Sequence, residues 1–403
     1  MSNTRAKGAI VASAILIGLG GLHPALAADK ILKIGAPLPL TGALSPDGGR
    51  LKSGYDLWAE AQNAAGGIKA GADSYKVEIV YADYQSNTPR AVQSAERMIS
   101  EDKVDAIFAP FGSGATKAVS AITEKYGVPM IASNAASVQV FDQGFKYLFG
   151  MYTPNSTVTQ PLVDLVIEKN KTVKRVAVLA RNDLFPLAIA DELTNYAKAK
   201  GLDIVSDQKF PIGTVDFASA LTQIRAAQPD WIYATGYVND MIQIRKQMQE
   251  QGVKTQLVTM IVGPTTHEFL EATGKLAENV VTSSWWDVAT RFKGNDVFGS
   301  AENFVAMYLK KYDNHYPDYS SASAAACGVV LQLAIAKAGT VEKSRVRDQI
   351  AAMDADTFYG HIKFGPTGQI SSLKPPVMQV QNGQPTVVYP PEIKQSELRF
   401  DSK

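Results

Sequence analysis

Val104-Asp-Ala-Ile-Phe-Ala-Pro-Phe-Gly-Ser-Gly-Ala-Thr116 and its continuation Gly127-Val-Pro-Met-Ile-Ala-Ser-Asn-Ala-Ala-Ser137 form the stretch whose reading decides the fold. Val104 to Pro110 is a short apolar run of the kind a buried parallel strand shows. Ala115 to Lys125 has helix-forming composition, and Tyr126 to Pro129 closes that helix. Met130 to Ala132 starts a second strand, which ends in a turn of small polar residues, Ser133 to Ser137. In an open parallel sheet both turns fall at the carboxyl edge, where such sheets bind ligands. Backbone N–H groups beside Gly112 and Gly114, at a helix N-terminus, suit a small anion, and Ser113 adds a hydroxyl. The pattern points to a carboxylate pocket rather than a catalytic centre.

The same rhythm extends in both directions. Upstream, Ile31–Ala36 reads as a strand and Pro37–Gly49 as a turn-rich loop. Arg50–Ala64 reads as a helix with Leu51, Tyr55, Trp58 and Ala61 on one face, stopped by Gly66-Gly67. Tyr75–Ala82 is a strand, and Thr88-Pro89 is a cap and first helical proline for a helix reaching Ser100. Downstream, strands at 175–180, 204–209, 231–234 and 256–262 alternate with helices at 187–200, 217–227 and 238–251. Two successive sets of alternating strands and helices predict two parallel-sheet α/β domains. Helices at 304–312 and 322–338 follow, and pattern alone assigns them to neither domain. Short strands at 361–364 and 378–380 finish the chain.

At the N-terminus, Arg5 and Lys7 precede the apolar run Gly8–Leu22 and the site Ala25-Leu-Ala27, the layout of a secretory signal peptide over 1–27. The run is shorter than the ~20 residues a membrane span needs. No cysteine stands at the cleavage point, so the reading is an exported protein cleaved near Ala27, without lipid anchor or membrane insertion. Lys and Arg total 40 against 39 acids, so no net field favours nucleic acid. The single cysteine, Cys327, excludes an internal disulfide and reads as a buried thiol. His23, His267, His315 and His361 have no metal-ligand spacing, so neither a metal nor a cofactor is implied. Gly112-Ser-Gly114 is half of a dinucleotide fingerprint, but Lys117 stands where the third glycine is needed. No phosphate loop and no Gly-x-Ser-x-Gly elbow occurs. No catalytic residue is assigned, and the chain reads as a binder, not an enzyme.

Taken together, Ile34-Gly-Ala-Pro-Leu-Pro-Leu-Thr-Gly42, Asn63-Ala-Ala-Gly-Gly-Ile68, Ala109–Thr116, Gly127–Ile131, Phe217-Ala-Ser-Ala-Leu221, Tyr233–Tyr237 and Gly252-Val-Lys-Thr-Gln256 resemble, in order and spacing, the leucine/isoleucine/valine-binding proteins of ABC importers. The resemblance covers the mature chain and implies the type I periplasmic binding fold. That fold has two Rossmann-like α/β lobes joined by three crossovers and closing over one solute. It implies an N-lobe of 28–150 plus 283–355, completed by the 322–338 helix, and a C-lobe of 151–282 plus 356–403. Ser113 matches the serine that holds the ligand carboxylate, with Gly114 beside it; a plain turn serine is the alternative. Asn134, Ala135, Ala136 and Ser137 match the second carboxylate-and-amine turn, where Ala136 or Ser137 stands in the place of a threonine. Phe185 matches an aromatic flank, or is core. Tyr237 hydrogen-bonds or covers the solute. Tyr319 lines the side-chain pocket, or is core, and the Gly263 loop closes from the second lobe.

One departure bears on specificity. The family places an acid after the strand that follows Gly252–Gln256, to bind an ammonium group, yet Thr259-Met-Ile-Val-Gly-Pro264 holds no carboxylate. A buried ammonium without an anion costs several kcal/mol. Asp47 is a substitute approaching from the other lobe, and Asp183 and Asp240 are further ones. Without such a rescue the solute is an acid or amide lacking an α-amino group, with Trp285-Trp286 as a stacking wall. The resemblance further implies a monomer that delivers its solute to a membrane permease. A periplasmic sensor of the same fold and a secreted hydrolase using Ser113 are the rival readings.

Overall fold

The computed structural model describes residues 30–313 and 315–401, with residues 1, 2 and 4; the run and cleavage site of the expected leader, Gly8–Ala27, lie outside the described residues. The first half runs β1 (Lys30–Leu38), α1 (Ser45–Ala64), β2 (Ile68–Ala70), β3 (Asp73–Asp83), α2 (Thr88–Ser100), β4 (Ala106–Phe108), α3 (Ser113–Tyr126), β5 (Met130–Ala132), α4 (Val138–Phe141) and β6 (Leu148–Gly150). Its strands form one sheet in the order β2-β3-β1-β4-β5-β6. All its pairings are parallel except the β2–β3 edge hairpin.

A second sheet starts after the first passage. The chain continues α5 (Asn155–Lys169), β7 (Arg175–Arg181), α6 (Leu184–Ala199), β8 (Asp203–Phe210), α7 (Ala218–Ala226), β9 (Trp231–Thr235), α8 (Val238–Glu250), β10 (Leu257–Ile261), α9 (His267–Thr273) and β11 (Val281–Ser283). Then follow α10 (Ala301–Lys311), α11 (Tyr319–Ala338), α12 (Lys343–Ala351), the hairpin β12 (Asp354–Thr357) and β13 (Gly360–Lys363), and finally β14 (Val377–Gln381) and β15 (Gln384–Tyr389). The second sheet has the order β15-β14-β11-β10-β9-β7-β8, with β14 and β15 antiparallel at one edge. The architecture is the expected α/β pair of sheets, each flanked by helices. The chain changes sheet at 151–154, after β11, and once more late. Gly150 N–H donates to Gly368 (2.9 Å) and Ile370 N–H to Gly150 (2.9 Å), so 368–370 lies along β6 and the last change falls at 371–376.

Several boundaries differ from the sequence reading for local reasons. α1 starts at Ser45 rather than Arg50, because Pro46 in its first turn favours a helix start. The cap of α2 is Asn87, whose side chain accepts from Arg90 N–H (3.2 Å), so Thr88 and Pro89 are already helical. α5, which the sequence reading did not assign, carries Pro161 within it, and its buried Val158, Leu162, Val163 and Val166 keep it helical.

α11 is the core helix of the first half. Asp318 caps it, accepting from Ser320 N–H (3.0 Å) and Ser321 N–H (2.9 Å), and Gly339 in the left-handed region ends it. It is long and apolar enough to cross a membrane, yet 83% of that window is buried inside the protein. Gly328 lets α1 approach, since a Cβ there would lie 2.0 Å from the Trp58 ring. The Cys327 thiol is fully buried on this helix.

Candidate functional site

The loops that leave the carboxyl ends of strands in both sheets meet around one narrow cavity. The first sheet supplies Phe111 and Gly112 after β4, Asn134 and Ala136 after β5, and Tyr152 after β6. The second supplies Phe185 after β7, Tyr237 after β9, Val262 after β10 and Trp285 after β11. Tyr319 and Ser320, in the first turn of α11, complete it.

Of the residues expected from sequence, Asn134, Ala136, Phe185, Tyr237 and Tyr319 line this cavity. The others stand behind its wall. Ser113 opens α3 and is fully buried, and its Oγ accepts from Ser137 N–H (3.3 Å), tying the two turns together. Gly112 has φ +84°, and a Cβ there would lie 3.1 Å from Tyr237 Oη, so the second lobe closes directly over the start of α3. Gly114 faces Asp183, whose Oδ1 would sit 3.4 Å from an added Cβ. Ala135 is buried in the apolar layer beneath, and the Ala136 carbonyl accepts from Gln369 Nε2 (3.1 Å). Gly263 follows Val262 at φ +132°. Val262 itself has φ +68°, which costs a β-branched residue roughly 1–3 kcal/mol, and it presents an isopropyl group to the cavity.

The walls are aromatic. Tyr152 and Trp285, from two of the passages between sheets, stack at 4.3 Å and 7°. Trp285 reaches Tyr319 (5.4 Å) and Phe185 (6.1 Å), and Phe111 meets Tyr237 edge-on at 5.2 Å. Sequence reasoning weighed Trp285 as a stacking wall but missed Phe111, Tyr152, Val262 and Ser320. Phe111 and Val262 directly follow recognised strands, which is the signal that was there to use. Tyr152 follows the short β6, which periodicity does not reveal.

Among the described residues no carboxylate lines the cavity. Asp47 lies beside it but turns to Arg50, with which it forms a buried ion pair. Arg50 also meets Asp318 (3.0 Å) and, across the two lobes, Glu268 (3.1 Å). Burial pushes the Asp47 carboxyl up to about 6, with Glu268 and Asp318 adding to the rise and Arg50 opposing it. Asp240 accepts from Tyr237 N–H (2.9 Å) and from Arg181 Nη1 (3.1 Å), and Arg181 lies over the Tyr237 ring at 5.0 Å. Asp183 accepts from Leu184 N–H (2.7 Å) at the start of α6 and lies 3.7 Å from Arg181 Nε. Each candidate acid is therefore engaged within the protein.

A wider groove opens on the far side of Tyr319, lined among others by His267, His315, Trp286 and Asp287. His267 and His315 stack there at 4.5 Å, one from each lobe. Among the described residues no group of three or more His, Cys, Asp or Glu is placed to hold a metal ion.

Residues 31–384 match the family model described as "Periplasmic binding protein". A "Leu/Ile/Val-binding protein homolog 7" from Brucella suis biovar 1 is 27% identical over 97% of this chain and 98% of its own. A branched-chain amino acid transporter substrate binding protein from Streptococcus pneumoniae, solved in complex with isoleucine, superposes with a TM-score of 0.79 at 27% identity, over 90% of this chain and 100% of that one. A solute binding protein of an ABC transporter from R. palustris, solved with benzoate, superposes with a TM-score of 0.76 at 18% identity, over 89% of this chain and 95% of that one; this last likeness concerns the fold.

Proposed function

Since the chain belongs to the periplasmic binding protein family, we propose that it is the exported receptor of an ABC importer for a small apolar or aromatic solute with a carboxylate or amide head and no α-amino group. The observation that carries this reading is the cavity itself: aromatic on most sides, open to the N-terminus of α3, and lined by no carboxylate. A helix N-terminus with unpartnered first-turn amides favours an anion or a carbonyl oxygen. An ammonium group would be desolvated there without an anion to answer it.

In this reading Ser113, Gly114 and the Asn134–Ser137 turn grip the polar head from the first lobe. Phe185, Tyr237 and the Gly263 loop cover it from the second, and Tyr319 packs against its body. Asp47 serves closure rather than the ligand. Among the described residues the lobes comprise 30–150 plus 284–370 and 151–283 plus 371–401, the middle boundary moving from 282/283 to the end of β11. The last boundary moves from 355/356 because 368–370 bonds along β6. The monomer, cleaved near Ala27, hands its solute to a membrane permease and performs no turnover. The isoleucine and benzoate complexes of the two structural relatives belong to those proteins, and the chemistry of this cavity sides with the amine-free class.

Thermal unfolding of the ligand-free protein tests this against branched-chain amino acids, amine-free aliphatic and aromatic carboxylates, and short amides. A ligand at ~100 times its dissociation constant stabilises by ~2.7 kcal/mol, an easily seen shift. Stabilisation by carboxylates or amides alone is expected. Stabilisation by leucine or valine alone would overturn the amine-free assignment.

A further inference from the structure

We propose that Asn134 selects solutes carrying a neutral hydrogen-bond donor, an O–H or amide N–H, which its Oδ1 accepts inside the cavity; this rests on the receptor reading above. Asn134 is only 8% exposed. Its Nδ2 donates to Tyr152 Oη (2.8 Å) and to Ser320 Oγ (3.0 Å), which engages both N–H bonds of the amide. Its Oδ1 is buried and has no hydrogen-bond partner among the described residues. A buried acceptor left unpaired is costly, and native structures rarely keep one unless something outside the chain completes it. A bound solute supplies that completion.

The two hydroxyls that partner the amide nitrogen are held in place. Tyr152 is held by its stack on Trp285, and Ser320 sits in the turn of α11 that Asp318 caps. The turn carrying Asn134 is pinned as well, because the Ser133 carbonyl accepts from Ser323 Oγ (2.7 Å). The residues that share the cavity wall with Asn134 are mostly aromatic, and none of their donors reaches Oδ1. The acceptor is a neutral carbonyl, and Asp183, Asp240 and Asp318 nearby are engaged with Arg181, Arg50 and backbone amides. A neutral donor therefore fits where an ammonium does not.

The test is equilibrium binding of matched pairs by the full mature chain. The pairs are each hydroxybenzoate isomer against the methylbenzoate of the same substitution, and benzamide against acetophenone. At least one donor-bearing member is expected to bind about tenfold or more tighter than its methyl isostere. That ratio should fall to within about threefold in Asn134→Leu. Equal affinities within every pair would overturn the proposal while leaving the receptor reading intact, and the wild-type ratios decide this even if the variant does not fold. A ratio kept in Asn134→Leu would place the donor's partner elsewhere and overturn it too. Failure of all these compounds to bind would remove the aromatic-acid and amide reading, and this proposal with it.

Discussion

Two regions meet at the start of α11 and treat charge in opposite ways. Tyr319 and Ser320 face a cavity of rings whose wall, among the described residues, carries no ionised side chain. One residue earlier, Asp318 belongs to a buried cluster in which three carboxylates surround Arg50. Both regions lie between the lobes, and Asp318 links them, since one of its oxygens caps the helix and the other meets Arg50. The difference shows how this protein separates closure from recognition. Ion pairing holds the lobes against each other beside the site, and the site itself is left to shape, stacking and hydrogen bonds.

The largest expected effect comes from removing the cation. Arg50→Met leaves Asp47 and Asp318 buried without a counter-charge, which costs about 3–5 kcal/mol of stability. Urea unfolding at neutral pH measures it, and a loss below ~1 kcal/mol would show that the cluster does not organise this junction. A smaller effect is set by pH. Asp47 titrates near 6 in the folded chain and near 4 when unfolded, so the native state binds its proton more readily. Stability from this group is fully present below about pH 4 and is lost as pH rises through about 6, by about 3 kcal/mol. Asp47→Asn should flatten that part of the profile. An unchanged slope between pH 4 and 6 would assign the titration to another acid.

The smallest effect belongs to the cavity. Tyr237→Phe removes one hydroxyl, beside Gly112, and keeps the ring over the site and under Arg181. Solute affinity should fall by about tenfold or less, with the unfolding midpoint of the free protein unchanged. A larger loss would mean that the phenol bonds the solute head directly rather than covering it.

Much of this was legible in the chain. Strand–turn–helix alternation located both sheets, because buried parallel strands read as apolar runs and their turns as glycine and small polar residues. The turn at 111–114 and the turn at 133–137 were found on that basis, as were Phe185 and Tyr237 through the resemblance. Tyr152 and Ser320 were not, since their roles arise from long-range placement: Asn134 joins them across 18 and 186 residues. The fate of Asp47 was hidden for the same reason. That an acid stands near the cleft is local information, whereas its capture by Arg50 together with Asp318 depends on how α1 packs beside α11.

The most direct measurement is isothermal titration of the mature protein with 3-phenylpropanoate and with phenylalanine, which share an aromatic body and a carboxylate and differ by the α-ammonium group. Binding of 3-phenylpropanoate at least about a hundredfold tighter is expected, the penalty of several kcal/mol for an unanswered buried ammonium. Phenylalanine binding equally or more tightly would mean that a carboxylate reaches the solute, and the neutral cavity would be contradicted.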